Sequence, residues 1–84
     1  MTSPTSIFER LRAILGEILE RPPESINRDS ALLELGATSL DILDMSATVE
    51  KVFGIMVHDR DLRELTTVED VVGLIERKQL APTS

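Results

Sequence analysis

Hydrophobic residues recur along the chain at the spacing of amphipathic helices, and no stretch sustains the alternation expected of a strand. The first periodic segment covers about residues 4–19. It ends at the "RPPE" of residues 21–24, because proline cannot continue a helix. Its apolar side chains fall within an arc of roughly 140°, and they are Ile7, Phe8, Leu11, Ile14, Leu15, Ile18 and Leu19. This pattern predicts a helix with one buried face.

Residues with capping character mark the boundaries of the predicted helices. Ser6 with Glu9 and Thr67 with Asp70 have capping-box or near-capping-box spacing, and Gly54 suits the residue after a second helix over about residues 39–53. The other candidate starts are Ser3 with Pro4 for the first helix, and Asp59 or Asp61 for a short helical turn through Leu65. The chain is therefore predicted to be all-α, with three main helices and one short helix.

A long connection separates the first two helices, from about residue 21 to Thr38. Such a length is unusual in a compact domain, so we expect the segment to be held against the core. Asp29 or Ser30 is a candidate cap for a short turn that Gly36 ends. The apolar side chains expected to attach the connection to the core are Ile26, Leu32, Leu33 and Leu35.

The second helix has two apolar faces. Its core face is predicted to contain Ile42, Met45, Val49, Val52 and Phe53. A second apolar strip lies on the opposite side, formed by Leu40, Leu43 and Ala47, with the acidic residues Asp41, Asp44 and Glu50 along its edges. One helix of a small bundle can hardly bury both faces. The strip is therefore interpreted as a partner surface, with coverage by the long connection as the alternative.

Length and composition restrict the class of protein. The 84 residues predict one domain over residues 1–84, with a core over about 6–78 and frayed ends. With no Trp or Tyr and two Phe, the core must be mainly aliphatic. Cysteine is absent, so a disulfide or a thiolate site is excluded. No apolar run approaches the length of a membrane span, and we expect a soluble cytoplasmic protein.

Negative charge is concentrated in the middle of the chain. Residues 20–50 hold seven acidic and two basic residues, and so carry −5 of the net charge of −6. This balance argues against a nucleic-acid ligand, whose phosphates would require a basic surface. It favours basic partners for the region around Ser39.

Ser39, in the stretch "LGATSLD" of residues 35–41, allows three interpretations. A catalytic serine would need a base, but the chain has one histidine, His58, and lacks the G-x-S-x-G motif. We therefore expect no enzyme activity and no metal site. A capping role suits either Thr38 or Ser39. The third interpretation is an exposed attachment point at the start of a helix.

The order of several short motifs resembles the acyl and peptidyl carrier protein family. They are "DSAL" at 29–32, "LGATSLD" at 35–41, "FG" at 53–54 and "TVED" at 67–70, within a similarity that covers about residues 6–78. The resemblance implies a four-helix acyl-carrier-type bundle. It also implies that Ser39 accepts a 4′-phosphopantetheine arm from coenzyme A, whose thiol carries an acyl group as a thioester. Thr38 departs from the family pattern, which usually has Asp or His before the serine.

The resemblance further implies the partners of the chain. These are a phosphopantetheinyl transferase, an acyl-loading enzyme, and synthase or transferase domains that a monomeric carrier would visit. The residues at the family's partner-contacting positions are Leu40, Asp41, Leu43, Asp44, Ala47 and Glu50.

The sequence is compatible with three kinds of protein. A discrete acyl carrier of polyketide or related specialised metabolism is favoured by the acidic balance and by Asp41 and Asp44, and the departure at Thr38 argues against a housekeeping fatty-acid carrier. A peptidyl or aminoacyl carrier of a nonribosomal peptide pathway is the alternative. The third is an interaction module that never receives phosphopantetheine. A free-standing chain is expected from Met1 and the short tails.

Overall fold

The computed structural model describes residues 6–80 as a bundle of α-helices. The helices are α1 (Ile7–Leu19), α2 (Ser39–Phe53), α3 (Asp59–Arg63) and α4 (Val68–Leu80), with a short 3-10 turn at Pro23–Ser25. In this part of the chain the only β-type pairing is an isolated bridge between Ala31 and Thr67. The all-α prediction is confirmed. The alternative start at Ser3 with Pro4 and the expected fraying of the ends lie outside the described residues.

Local capping signals set the ends of α1 and α2 where the sequence predicted them. The Ser6 hydroxyl accepts a hydrogen bond from the Glu9 N–H at 3.1 Å, so α1 starts at the predicted N-cap Ser6. Gly54 ends α2 in the left-handed conformation, at φ 67°, and its N–H donates to the Glu50 carbonyl. Both predicted ends of α2 are correct. The short helix α3 ends at Arg63, two residues before the predicted end.

The core lies where α1, α2 and α4 meet the long connection. Buried side chains come from all four of these segments, whereas α3 has no fully buried residue. The buried set is aliphatic, as the composition required, and consists of Leu11, Leu15, Ile26, Leu32, Leu35, Ala37, Met45, Val49, Val68, Val71, Val72, Leu74 and Ile75.

Two predicted core residues are exposed instead. Leu33 was expected to attach the long connection to the core, but its side chain is 82% exposed. The chain turns tightly here, with the Ala37 N–H donating to the Leu32 carbonyl, so Leu32 and Leu35 face inward and both residues between them face outward. Val52 is also exposed, at the margin of the α2 core face. These two predictions were wrong.

Backbone hydrogen bonds attach the long connection to the start of α4. The Val68 N–H donates to the Ser30 carbonyl at 2.9 Å, and the Glu69 N–H donates to the Arg28 carbonyl at 2.7 Å. Both are first-turn N–H groups that a helix cannot satisfy internally. The Ser30 hydroxyl accepts from the Asn27 N–H and closes the preceding turn, so it does not cap the turn ended by Gly36.

Two carboxylates hold α3 and the loop before it. Glu50 on α2 accepts a hydrogen bond from the Val57 N–H at 2.7 Å. Asp61 accepts from the His58 N–H at 2.9 Å and pairs with Lys78 of α4 at 3.1 Å. The backbone hydrogen bond from His58, with a smaller contribution from Lys78, lowers the pKa of Asp61 against the opposing effect of burial.

Candidate functional site

The first turn of α2 separates the two roles that the sequence left open for its hydroxyl residues. Thr38 is the N-cap: its Oγ1 accepts from the Asp41 N–H at 3.2 Å, and Asp41 Oδ2 accepts from the Thr38 N–H at 2.9 Å. Ser39 is the first helical residue and is exposed, and its hydroxyl makes no hydrogen bond within residues 6–80. Capping therefore belongs to Thr38, and the Ser39 hydroxyl remains accessible.

The loop before Ser39 is fixed by its own backbone and by two buried side chains. Gly36 has a φ of 93°, which favours glycine, and its N–H donates to the Leu33 carbonyl at 3.0 Å. Leu35 and Ala37 on either side are buried. The segment therefore approaches α2 from a defined direction and presents Ser39 at the surface.

The N-terminus of α2 has backbone donors available for an anion. The N–H groups of Ser39 and Leu40 have no acceptor among the residues that the structure describes, as expected for the first turn of a helix. Unpaired N–H groups and the positive end of the helix dipole together favour a negatively charged oxygen at this position.

The apolar strip beside Ser39 is open. Leu40 is 77% exposed, Leu43 is 53% exposed, and Ala47 is also exposed. The long connection does not cover them, so the alternative of a buried second face is wrong. Three positions on one helix thus expose apolar surface within about two turns of Ser39.

The three acidic residues predicted at the edges of the strip differ in their surroundings. Asp44 is exposed. The Asp41 carboxylate is part of the capping box with Thr38, and the Glu50 carboxylate accepts from the Val57 N–H. The sequence did not indicate the second role of Glu50, because its hydrogen-bond partner lies in the loop after the helix. Asp44 is therefore the least constrained of the three.

A small apolar cavity opens one helical turn from Ser39. It has a volume of about 230 Å³ and lies between the long connection, α2 and α3, lined by Ala31, Leu32, Leu33, Ile42, Leu62, Leu65 and Thr66. An apolar lining of this kind suits an apolar group. The sequence does not reveal this cavity, because its walls come from segments far apart in the chain.

Three other features are absent from residues 6–80: a histidine paired with Ser39, a metal site and a membrane-spanning helix. His58 precedes α3, and no hydrogen bond joins it to Ser39 within residues 6–80. No group of His, Asp and Glu in that range is arranged to hold a metal ion. None of its helices is long and apolar enough to cross a membrane.

Comparisons with known proteins identify the class. The family model described as a phosphopantetheine attachment site matches residues 9–75. The acyl carrier protein of Thermotoga maritima is 37% identical over 79 residues, which cover 93% of this chain and 98% of that protein. That of Coprothermobacter proteolyticus is 39% identical over 71 residues, 83% of this chain and 87% of that protein. That of Campylobacter hominis is 37% identical, with coverages of 83% and 90%.

A solved structure supports the same fold. The crystal structure of an acyl carrier protein from Thermotoga maritima superposes with a TM-score of 0.75 over 84% of each chain, at 21% sequence identity. The fold and the family model together define a small helical carrier with a phosphopantetheine attachment site. The chain belongs to the acyl carrier protein family. The cofactor of the family is covalently attached 4′-phosphopantetheine, and members interact with a phosphopantetheinyl transferase and with synthase enzymes.

The first turn of α2 fits this cofactor. The attached group is a phosphodiester, which needs one hydroxyl for the covalent bond and donors for its remaining oxygens. Ser39 supplies an accessible hydroxyl, and the N–H groups of Ser39 and Leu40 supply donors on the same turn. When bound, the group supplies a thiol, which this cysteine-free chain lacks.

Proposed function

We propose that the chain is an acyl carrier that holds acyl intermediates as thioesters on a phosphopantetheine arm attached to Ser39. One observation carries the assignment: Thr38 performs the capping, which leaves the Ser39 hydroxyl accessible on the first turn of α2. The whole chain then acts as one carrier domain with a core over about residues 6–78. It contributes no catalytic group of its own.

The attachment reaction uses Ser39 as the nucleophile. Ser39 Oγ forms a bond to the phosphorus of coenzyme A that bears the pantetheine, and the bond from that phosphorus to the bridging diphosphate oxygen breaks. Adenosine 3′,5′-bisphosphate leaves with the bond electrons, and the hydroxyl proton passes to a base of the transferase. Ser39 therefore needs accessibility and orientation from this chain, whereas the base comes from the transferase.

The partner surface proposed for the carrier is the open strip with its acidic edge. Leu40, Leu43 and Ala47 offer apolar contact, and Asp44 offers an accessible carboxylate for a basic partner. Asp41 and Glu50 are included for their position, although their carboxylates also hold the helix start and the following loop. Transferase, loading enzyme and synthase domains would dock here in turn.

The pathway that we propose is polyketide or related specialised metabolism. Support comes from the acidic segment of residues 20–50 and from Thr38 in place of the family's usual acid. A peptidyl or aminoacyl carrier is the alternative, although the similar proteins compared above are all acyl carrier proteins. Loading assays on the modified chain, with an acyl-activating and an aminoacyl-activating enzyme in parallel, separate the two.

The experiment that tests the attachment site is intact-mass measurement after incubation with coenzyme A and a promiscuous phosphopantetheinyl transferase. The wild-type chain should gain the mass of one phosphopantetheinyl group, and Ser39→Ala should gain nothing. Ser46→Ala, on the same helix, is the matched control and should be modified like the wild type. An adduct on Ser39→Ala would refute the site. A folded wild-type chain that stays unmodified would favour the interaction-module alternative.

A further inference from the structure

One side chain from outside the loop before Ser39 donates a hydrogen bond to the backbone of that loop. Arg21 Nη1 donates to the Leu35 carbonyl at 3.2 Å, across 14 residues of sequence and in a partly buried setting. The N–H groups of Leu35, Gly36 and Ala37 donate to carbonyls within residues 31–33. Among residues 6–80, Arg21 is therefore the side chain through which the end of α1 is hydrogen-bonded to the "LGATS" segment.

The backbone at Arg21 is itself held in place. Its N–H donates to the Gly16 carbonyl at 2.9 Å, and Glu20 before it adopts the left-handed conformation at φ 55°. Gly16 permits this close return of the chain, because a Cβ at that position would lie 2.9 Å from the Arg21 carbonyl oxygen. A residue other than glycine is uncommon in the left-handed region, so the turn places the guanidinium at some conformational cost.

We propose that Arg21 is a positioning residue for modification of Ser39. By holding the Leu35 carbonyl, it adds a hydrogen bond from the end of α1 to the internal contacts of the loop whose far end sets the position of Thr38 and Ser39. This inference rests on the proposed attachment at Ser39. It predicts an effect on the orientation of the nucleophile rather than on docking, because Arg21 acts through the loop.

Kinetics of the transferase reaction distinguish positioning from docking. Loss of a partly buried hydrogen bond should lower the equilibrium constant that favours the correctly placed loop by about 2- to 10-fold. A misplaced hydroxyl lowers kcat, whereas a lost docking contact raises KM for the carrier and leaves kcat unchanged. We therefore expect Arg21→Met, which keeps an apolar stem and removes the donor, to lower kcat by up to this factor with little change in KM.

Two further variants and a control complete the set. Arg21→Lys keeps a charged donor and should recover part of the lost kcat. Gly16→Ala keeps the arginine but displaces its backbone, and should lower kcat in the same way. Arg60→Met removes an exposed arginine of α3, with the same charge change as Arg21→Met, and should match the wild type.

Amide hydrogen exchange of the unmodified chain provides a readout that does not depend on the transferase. Arg21→Met should accelerate exchange at Gly36 and Ala37 by about 2- to 10-fold, with α4 amides unchanged. Unchanged exchange and unchanged kcat would overturn the inference and leave the attachment site intact. A raised KM with normal kcat and normal exchange would also overturn it, because Arg21 would then contact the transferase directly. An unmodified wild-type chain would refute the proposed function and, with it, this inference, whatever the exchange rates of the Arg21 variant.

Discussion

The N-cap of α2 offers the sharpest test of the structure, because one hydroxyl separates the roles of two adjacent residues. Thr38→Val preserves the shape of the side chain and removes the acceptor for the Asp41 N–H. Loss of an N-cap hydroxyl costs roughly 1 kcal/mol, within a range of about 0.5–2 kcal/mol. For a domain of this size, about 1 kcal/mol corresponds to a fall in Tm of about 4–8 °C.

Thermal unfolding followed by circular dichroism measures this change against a matched control. Thr48→Val makes the same substitution on α2, where the hydroxyl donates to the Asp44 carbonyl within the helix and should contribute little. Thr38→Asp keeps an acceptor at the N-cap and adds a negative charge at the helix N-terminus, so the stability of this variant should equal or exceed that of the wild type. Equal Tm values for Thr38→Val and Thr48→Val would refute the assignment of the cap.

The remaining predictions concern the proposed partner surface and the acid response. Leu43→Asp should leave Tm almost unchanged but slow the transferase reaction. The control Val49→Asp, at a buried position of the same helix, should unfold the domain. A large fall in Tm for Leu43→Asp would place Leu43 in the core. Glu50→Ala should lower stability by about 1–3 kcal/mol by leaving a part-buried N–H unpaired, and Asp44→Ala should not; equal stability would contradict the internal role of Glu50. Because the pKa of Asp61 is lowered in the folded chain, its carboxylate stabilises the fold at pH values above the ordinary aspartate pKa of about 3.9. This stabilisation is lost as the pH falls through the lowered pKa. The free energy of unfolding from urea titrations should therefore fall less on acidification in Asp61→Asn than in the wild type. An equal fall in both chains would contradict the role of Asp61.

Features fixed by neighbouring residues could be predicted from the sequence. The ends of α2 were correct because an N-cap threonine and a left-handed glycine act within one turn of the helix. The open strip of Leu40 and Leu43 was also predictable, since helical periodicity assigns both residues to the face opposite the core. In each case the determining interaction spans a few residues.

Features that depend on distant segments could not be predicted. Periodicity does not specify which leucine of a turn faces inward, so Leu33 was assigned to the core although the turn directs it to solvent. The hydrogen bond from Arg21 to the Leu35 carbonyl joins residues whose proximity depends on how the long connection folds back. The second role of Glu50 likewise depends on the path of the loop after α2.

Thr38 shows how structure changes the meaning of a departure from a family pattern. On the sequence, the threonine before Ser39 was a departure from the Asp or His that is usual in the family. The structure shows that Thr38 and Asp41 together form the capping box, so the helix start does not need an acid at position 38. Since Asp, like Thr, is a good N-cap residue, the substitution changes the charge next to Ser39 while keeping the geometry of the turn. The charge next to Ser39 can therefore vary without loss of the helix start on which the proposed attachment depends.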